Sequence, residues 1–332
     1  MPSSPIMRIV LVYAVLLALL AAASAVALAT GPGSLRDPAL CSTLIELRAT
    51  RVAAALLAGA SLAVGGVVVQ AVFRNPLVSP SILGTTAGAS LGGQLSLLAL
   101  ASGAMFAGVP TVLVLPLGCL AGATLSLAIL LLFCRDRTGT LVLILTGFIL
   151  SSLFLALGSF VTSLAQDQWD LSRAVVAFTL GGVGGTSPRQ VAAALPFVLV
   201  GLGACWAWNP TLDVLLSGEE EARTLGVEVG QARRWSVVWV AVLTSAAIAV
   251  GGNVAFVGLV VPHVLRPLVG VRHSRLIPAA ALLGGAFLVS CDVLARIFPS
   301  RSELPLGVIT GIIGAPVFLV LLARSYREVE HG

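Results

Sequence analysis

Residues able to perform catalytic or metal chemistry are few and scattered in this chain. Histidine occurs only at His263, His273 and His331, and the five cysteines have no CxxC or CxxH spacing. Four of the five cysteines lie in apolar stretches, where cysteine usually behaves as a small hydrophobic residue. Because no cluster suited to nucleophilic or metal-assisted catalysis is present, the sequence predicts no catalytic residue and no metal site.

Lysine is missing from the sequence. All 19 basic residues are arginine. A P-loop needs a lysine on the nucleotide phosphates, and Schiff-base chemistry needs a lysine amine. We therefore expect that the chain does not bind ATP through a Walker motif of its own and that it holds no cofactor.

Two segments place charged or titratable residues one helical turn apart. His263 and Arg266 form the first pair, and Asp292 and Arg296 form the second. A histidine inside a membrane could relay protons, but no acid lies near His263 in the sequence, which favours a structural hydrogen bond. The spacing of Asp292 and Arg296 is typical of an ion pair near a helix end.

The composition identifies the elements that must carry these residues as membrane helices. Of the 332 residues, 58% are hydrophobic and 10% are charged, and the mean hydropathy is +1.06. A soluble domain has about 25% charged residues, so the chain is predicted to be an integral membrane protein. The formal charge of +5 is attributed to membrane orientation, and no nucleic-acid partner is expected.

Ten apolar runs predict an all-α membrane protein with about ten transmembrane helices. The first run is about 21 residues long, which is too long for the apolar core of a secretory signal and long enough to span. Only short loops separate most runs, so residues 1–332 are expected to form one transmembrane domain. The runs cover about 9–29, 52–71, 82–103, 111–133, 141–164, 190–208, 235–252, 254–269, 276–295 and 305–323. The eighth run, 254–269, contains Pro262, and its helix is expected to be short, kinked or both.

The arginine distribution predicts that both termini lie in the cytoplasm. With ten spans and the termini inside, the inner segments hold more arginines than the outer ones, as the positive-inside rule requires. Seven arginines still fall outside, which is more than topology needs, and they require another explanation. These outer residues are Arg36, Arg48, Arg51, Arg173, Arg189, Arg296 and Arg301.

Small residues at four-residue spacing predict close helix contacts. Gly84, Gly88 and Gly92 form a doubled GxxxG pattern, and Gly307 and Gly311 repeat it near the C-terminus. Such faces let helix backbones approach closely in lipid. The pattern indicates packing and does not indicate a function.

Two inner loops have more structure than a simple connection needs. Two prolines in Arg74–Pro80 predict a rigid turn, with Asn75 capping its own backbone. In the second loop, Ser217 and Glu220 have the spacing of a capping box, and Gly226 is expected to end a helix of about two turns. A compact helix–turn–helix at about 213–231 suggests a docking site for a cytoplasmic partner.

Taken together, the motifs resemble the permease subunits of type II ABC importers for iron-siderophores, haem and cobalamin. The resemblance covers about residues 44–323, with all motifs in the family's order. They are RxxR at Arg48 and Arg51, GxxxQxxxRNPLxxPxxLG at 66–84, GGxGG-xxxRQ at 181–190, the coupling stretch at 217–226, GxxxFVGLxxPHxxRxxxG at 252–270, DxxAR at 292–296, and ELPLGxxTxxxGAPxF at 303–318. The family's RLPR reads Arg-Ala-Thr-Arg here, and its Leu-Gly before the coupling stretch reads Ser217-Gly218.

The resemblance implies a multi-subunit import complex in a bacterial inner membrane. Two copies of the chain would form the pore on the dimer axis, and a periplasmic substrate-binding protein would dock from outside. Two cytoplasmic ATP-binding subunits would supply ATP and Mg chemistry, which agrees with a chain that has no lysine. These ATP-binding subunits would dock on residues of the coupling stretch, namely Ser217, Gly218, Glu219, Glu220, Glu221, Ala222, Arg223, Leu225 and Gly226.

The resemblance also assigns docking, gating and pathway residues by position. Arg48, Arg51 and Arg296 match the positions that meet acidic residues of the binding protein. The cytoplasmic gate falls at Asn75 and Leu77, with the turn near Thr140. The fifth span is a candidate pore wall, although small residues there serve helix packing equally well. Its hydroxyl residues are Ser151, Ser152, Ser159, Thr162 and Ser163, and a short helix is expected in 165–189 near the outer mouth.

Two other functions remain open at this point. An ion-coupled secondary transporter would need buried acids at mid-span, and Asp292 is the sole acid inside an apolar run. A membrane enzyme would need a cluster of reactive residues. The sequence does not decide the cargo: haem is the first expectation, then a ferric siderophore, then cobalamin.

Overall fold

The chain folds into a bundle of helices. The computed structural model describes residues 5–31, 33, 38–103, 108–133, 140–297 and 303–330. Within these residues the regular structure is entirely helical, which confirms the predicted all-α class. The helices are α1 (Pro5–Ala29), α2 (Pro38–Val72), α3 (Thr85–Ala101), α4 (Thr111–Phe133), α5 (Thr140–Leu164), α6 (Trp169–Leu180), α7 (Pro188–Ala207), α8 (Asn209–Ser217), α9 (Glu219–Thr224), α10 (Val229–Gly251), α11 (Val257–Val269), α12 (His273–Ile297) and α13 (Leu306–Glu330).

Each of the ten predicted apolar runs coincides with one helix. Seven of these helices are long and apolar enough to cross a membrane, while α11 and the apolar part of α13 are shorter, and α3 has 17 residues. The structure therefore supports seven spans plus shorter apolar helices, and it does not confirm a count of ten. The expected short helix in 165–189 is α6.

The bundle is layered around α2. This helix packs against α10, α11 and α12, and α1 lies on the outside against α12. In the most apolar 18-residue segment of α2, 78% of the residues are buried, whereas in the corresponding segment of α1 only 6% are buried. The long helix α2 therefore forms the centre of the core, and α1 presents nearly all of its surface to the surroundings, as expected of a lipid-facing helix.

Glycines allow the central helices to touch backbone to backbone. A Cβ at Gly66 of α2 would lie 1.9 Å from the carbonyl oxygen of Gly258 in α11, and one at Gly92 of α3 would lie 2.0 Å from that of Gly118 in α4. No side chain fits at either contact. The predicted packing role of the α3 glycines is thus confirmed, whereas Gly311 has no atom of the described chain within 4 Å of an added Cβ.

The helix α11 is short because the chain before it is not helical. Gly252 and Phe256 both have positive φ angles, at 64° and 66°, and α11 starts only at Val257. The backbone of this stretch is buried against Phe178, Gly181 and Gly307, and the amide of Asn253 donates to the carbonyl of Phe178. Non-helical backbone at membrane depth is tolerated where protein covers it in this way. The expectation of a short helix is confirmed.

Candidate functional sites

Four charged side chains form one cluster at the end of the bundle that holds Ala29, which we call the outer end in keeping with the predicted topology. Arg51 Nε lies 2.8 Å from Asp292 Oδ1, and Arg296 Nη2 lies 2.6 Å from Asp292 Oδ2. Arg51 Nη1 also lies 2.8 Å from Glu303 Oε2. The predicted Asp292–Arg296 pair is confirmed, and both of its side chains are only 2% exposed. Arg51, which is 241 residues away from Asp292 along the chain, completes the cluster.

Two arginines of the predicted docking set hold the end of α1. Arg48 donates to the carbonyls of Leu28, Ala29, Gly31 and Gly33, and Arg296 donates to those of Ala27 and Thr30. Cations are favourable there because the last carbonyls of a helix carry partial negative charge. The side chains of Arg48 and Arg296 are buried at this end of the bundle, to which the predicted topology assigns both residues. Arg51 is partly exposed, and the docking role of the set stays a prediction.

A cavity of about 530 Å³ opens beside this cluster. Arg51, Asp292 and Glu303 line it on one side, and α6 contributes Arg173 and Phe178. The glycine-rich loop 181–185 forms another wall. Arg173 is exposed and makes no ion pair or hydrogen bond within the described residues. Reasoning from the motifs did not select Arg173, because it stands alone in an ordinary helical pattern.

Local hydrogen bonds hold the loop between α2 and α3, including the predicted Asn75 cap. Asn75 Oδ1 accepts a hydrogen bond from the amide of Leu77 at 2.9 Å, which is the expected cap. Arg74 has a positive φ of 47°, and the Thr85 hydroxyl donates to the carbonyl of Pro80. Asn75 and Leu77 are half-buried. Thr140 is the first residue of α5, and its side chain lies outside the described part of the structure. The gate itself stays a prediction.

The hydroxyls of α5 mostly bond to their own helix. Those of Ser152, Ser159 and Thr162 donate to carbonyls four residues earlier, which satisfies them in apolar surroundings. Ser151 also reaches the carbonyl of Ser81 and so joins α5 to the rigid loop. Ser152, Ser159 and Ser163 share an exposed face. This arrangement fits a pore wall and a packed helix equally well, so the pathway stays a prediction.

A buried polar link joins α2 to α11. Gln70 Nε2 donates to the carbonyl of Gly258, and Arg266 Nη2 donates to Gln70 Oε1. The neighbouring His263 lacks the expected structural hydrogen bond at Nδ1, which is buried without a partner among the described residues. Gln70 therefore holds Arg266 in place, and the hydrogen-bond partner of Arg266 is Gln70 rather than His263.

The coupling stretch forms the short helix α9, which follows the short helix α8 at the opposite, inner end of the bundle. Ser217 is the last residue of α8, and Gly218, with a φ of 126°, is the N-cap of α9 without a side-chain hydrogen bond. The predicted capping box of Ser217 and Glu220 is therefore wrong. Gly226 has a positive φ of 81° just beyond α9, as expected of a residue that ends a helix.

A hydrogen-bonded aspartate–histidine contact and one ion pair fasten these short helices to the long ones. Asp213 Oδ1 in α8 lies 2.6 Å from His273 Nδ1 and accepts from the His273 amide at 2.8 Å, at the start of α12. Glu219 Oε1 in α9 lies 2.6 Å from Arg233 Nη2 in α10. Gly218 also lies beside the guanidinium of Arg74. The sequence predicted the helix that ends before Gly226, but it did not predict α8 or these partners, which are distant along the chain.

Most of the coupling stretch beyond Ala222 is exposed in the part of the chain that the structure describes. Ala222 is buried and anchors α9, whereas Glu220, Glu221, Arg223 and Gly226 are exposed. Leu225 is 64% exposed although it lies in a polar segment rather than in a membrane helix. A single exposed leucine is common on protein surfaces, so the exposure of Leu225 does not by itself identify a contact with another protein.

Comparison with known proteins agrees with the motifs and with the fold. The FecCD transport family matches residues 9–324 of the chain. The Fe(3+) dicitrate transport system permease FecD of Escherichia coli is 38% identical over 281 residues, with 85% of each protein covered. The cobalamin import system permease BtuC of Halobacterium salinarum is 37% identical over 286 residues, covering 86% of this chain and 73% of the relative.

A solved structure shares the architecture. It is described as an inward-facing conformation of a metal-chelate type ABC transporter, and its TM-score is 0.82 at 31% identity, with 95% of this chain and 99% of that chain covered. Sequence, motifs and fold therefore agree, and the chain belongs to the FecCD transport family as a multi-pass membrane permease of the ABC importer type.

Proposed function

We propose that this chain is the permease of a binding-protein-dependent importer that moves an iron chelate, first of all haem, into the cytoplasm. A ferric siderophore and cobalamin are the alternative cargoes. The observation that carries the proposal is the coupling stretch, where an exposed Leu225 and its acidic neighbours form a free surface fastened to the bundle by Asp213 and Glu219. A chain with no lysine needs such a surface to receive an ATPase.

The proposal includes the partners. A second copy of the chain forms the pore, two ATP-binding subunits with ATP and Mg dock on the coupling stretch, and a periplasmic protein delivers the cargo. Both termini lie in the cytoplasm, and residues 1–332 act as one transmembrane domain. The relatives support the ATP-binding and substrate-binding partners, because permeases of this family serve ABC import systems.

The outer cluster argues against ion-coupled transport. A secondary transporter needs a buried acid that can take up a cation, and Asp292 is the acid that this chain offers inside an apolar helix. Its carboxylate already contacts two guanidiniums, those of Arg51 and Arg296. An acid neutralised in this way is suited to holding helices together and is poorly suited to exchanging ions.

The cargo is tested best on the binding protein. We expect the partner binding protein to hold haem more tightly than a ferric siderophore or cobalamin, and to form a complex with this permease in nanodiscs. Tight binding of cobalamin or of a siderophore instead would replace haem within the same import mechanism. A binding protein that holds none of the three would contradict the proposed cargo class.

A further inference from the structure

An open cleft of about 380 Å³ lies where α1 begins and α11 ends. Arg8 and Ile9 line it from α1, and residues 266–270 line it from the end of α11. The two sides are distant in sequence, and Arg8 joins them by donating to the carbonyl of Pro267 at 3.1 Å. The lining contains two arginines and no acidic residue.

Both arginines have hydrogen-bonding capacity left for a ligand. A guanidinium carries five N–H donors in a planar fork that matches phosphate oxygens. In the described structure Arg8 uses one donor on Pro267, and Arg266 uses one on Gln70. Because Gln70 is itself buried and bonded to Gly258, the Arg266 side chain is held in place before any ligand arrives.

The surroundings of the cleft indicate lipid. Arg8 stands in the first turn of α1, whose sides are almost fully uncovered, and Ile6 is 72% exposed. Val264, Leu268 and Val271 are exposed apolar residues on the facing side. A cationic centre with apolar flanks at the end of a lipid-facing helix matches an anionic headgroup with its acyl chains.

More positive charge stands close by. Arg272 and Arg275 flank the start of α12, and both are exposed. The Tyr13 hydroxyl of α1 donates to the carbonyl of Arg275 at 2.6 Å, so α1 is fixed to the same corner. Asp213, an acid that contacts the start of α12, is engaged by His273.

We infer that this cleft binds the phosphate of an anionic phospholipid, with Arg8 and Arg266 as its ligands. The lipid would fill the junction between α1 and the α11–α12 turn and add to the contacts of Arg8 and Tyr13 that join α1 to this corner. The inference uses the position of the cleft at a helix end and is independent of the proposed cargo and of the ATPase partners.

The test measures lipid retention by the purified permease with native mass spectrometry. We expect phosphatidylglycerol to be retained in preference to phosphatidylcholine with the same acyl chains. Arg8→Gln should weaken retention about fivefold, since each arginine near an anionic surface contributes about that factor. Arg8→Lys should keep most of the retention because it keeps the charge.

The control variant removes one arginine charge at a position outside the cleft. Arg234 is exposed and donates only to the carbonyl of Gly230 in its own helix, so Arg234→Gln should leave retention unchanged. Leu268→Glu provides an independent variant that keeps both arginines and places a carboxylate in the cleft, and it should abolish the preference for phosphatidylglycerol. Correct folding of each variant is checked by its thermal unfolding midpoint.

Three results would overturn the inference. They are equal retention of phosphatidylcholine and phosphatidylglycerol, an equal loss in Arg234→Gln and Arg8→Gln, and complete displacement of the lipid by millimolar inorganic phosphate. The last result would identify a site for free phosphate. Because none of these measurements uses ATP, cargo or a binding protein, their failure is separate from failure of the proposed function.

Discussion

At the scale of single residues, Asp292 determines how the charges of the outer end are arranged. Its two carboxylate oxygens each contact a different arginine, and it is almost completely buried. Removing one partner of a buried ion pair leaves an uncompensated charge, which costs far more than breaking a pair in water. The cluster joins α2 and α12, and through Arg296 it also joins the end of α1.

We predict that Asp292→Asn destabilises the protein by about 3–5 kcal/mol. The buried guanidinium of Arg296 would lose its counter-charge while remaining shielded from water. Thermal and denaturant unfolding of the purified permease would measure the effect. The matched control is Glu303→Gln, because Glu303 is 43% exposed and its loss should cost less than about 1 kcal/mol. Equal effects of the two substitutions would show that burial does not control this cluster.

A second prediction concerns docking of the binding protein at the outer cavity. Arg173 is the exposed arginine of the cavity lining, and it is not needed for an ion pair within the described chain. We expect Arg173→Glu to slow association of the binding protein about fivefold or more at low salt, and much less at high salt, because steering by exposed charges is screened. Arg234→Glu at the inner end is the control. Unchanged association kinetics would exclude Arg173 from the docking surface.

The sequence identified individual residues where the interaction is local. The Asp292–Arg296 pair and the Asn75 cap follow from spacings of four and two residues, and both are present. The contacts of Arg48 with the end of α1 were not predictable, because they depend on how α1 and α2 pack. The predicted topology assigned Arg48 to the outer side of the membrane and could not show that its side chain is buried.

At the scale of elements, hydrophobic runs identified the long helices but not every boundary. The capping box failed because Asn209-Pro210 starts a helix that continues through Ser217. Gly218 then ends α8 and is itself the N-cap of α9, so Ser217 cannot serve as that cap. The short α11 was anticipated from Pro262, although the structure shows that the non-helical stretch with positive φ at Gly252 and Phe256 shortens it.

Helix packing yields a third prediction. In Gly92→Ala the new methyl group would meet the carbonyl of Gly118, forcing α3 and α4 apart at a cost of about 1–3 kcal/mol. The control is Gly203→Ala in α7, where an added Cβ meets no atom within 4 Å. That substitution should be neutral or stabilise the helix by up to about 1 kcal/mol. Unfolding midpoints that do not differ between the two variants would contradict the assigned contact.

The coupling stretch yields a fourth prediction. Leu225→Asp should reduce co-purification of the ATP-binding subunit about tenfold or more, as expected when an anchoring apolar side chain is lost from an interface. The conservative Leu225→Ile should retain the complex. Since Leu225 is exposed, neither change should alter the unfolding midpoint of the isolated permease. A stable complex with Leu225→Asp would place the ATPase contact elsewhere.

At the scale of the whole molecule, the polar residues are concentrated at the two ends of an apolar bundle. The outer end carries the Asp292 cluster beside a cavity, and the inner end carries the coupling stretch and the rigid loop at Arg74–Pro80. The single helix α12 connects them, because His273 at its start contacts Asp213 and Asp292 near its end contacts Arg51. Such an arrangement suits a gate that is moved by another protein.

The most direct test of this account is cargo uptake into proteoliposomes that contain the permease, its ATP-binding subunit and its binding protein. We predict uptake and cargo-stimulated ATP hydrolysis that require all three proteins. Both should disappear when the ATPase subunit is inactivated, whether or not a proton gradient is present. Uptake that proceeds without the ATPase subunit and depends on a proton gradient would contradict the account.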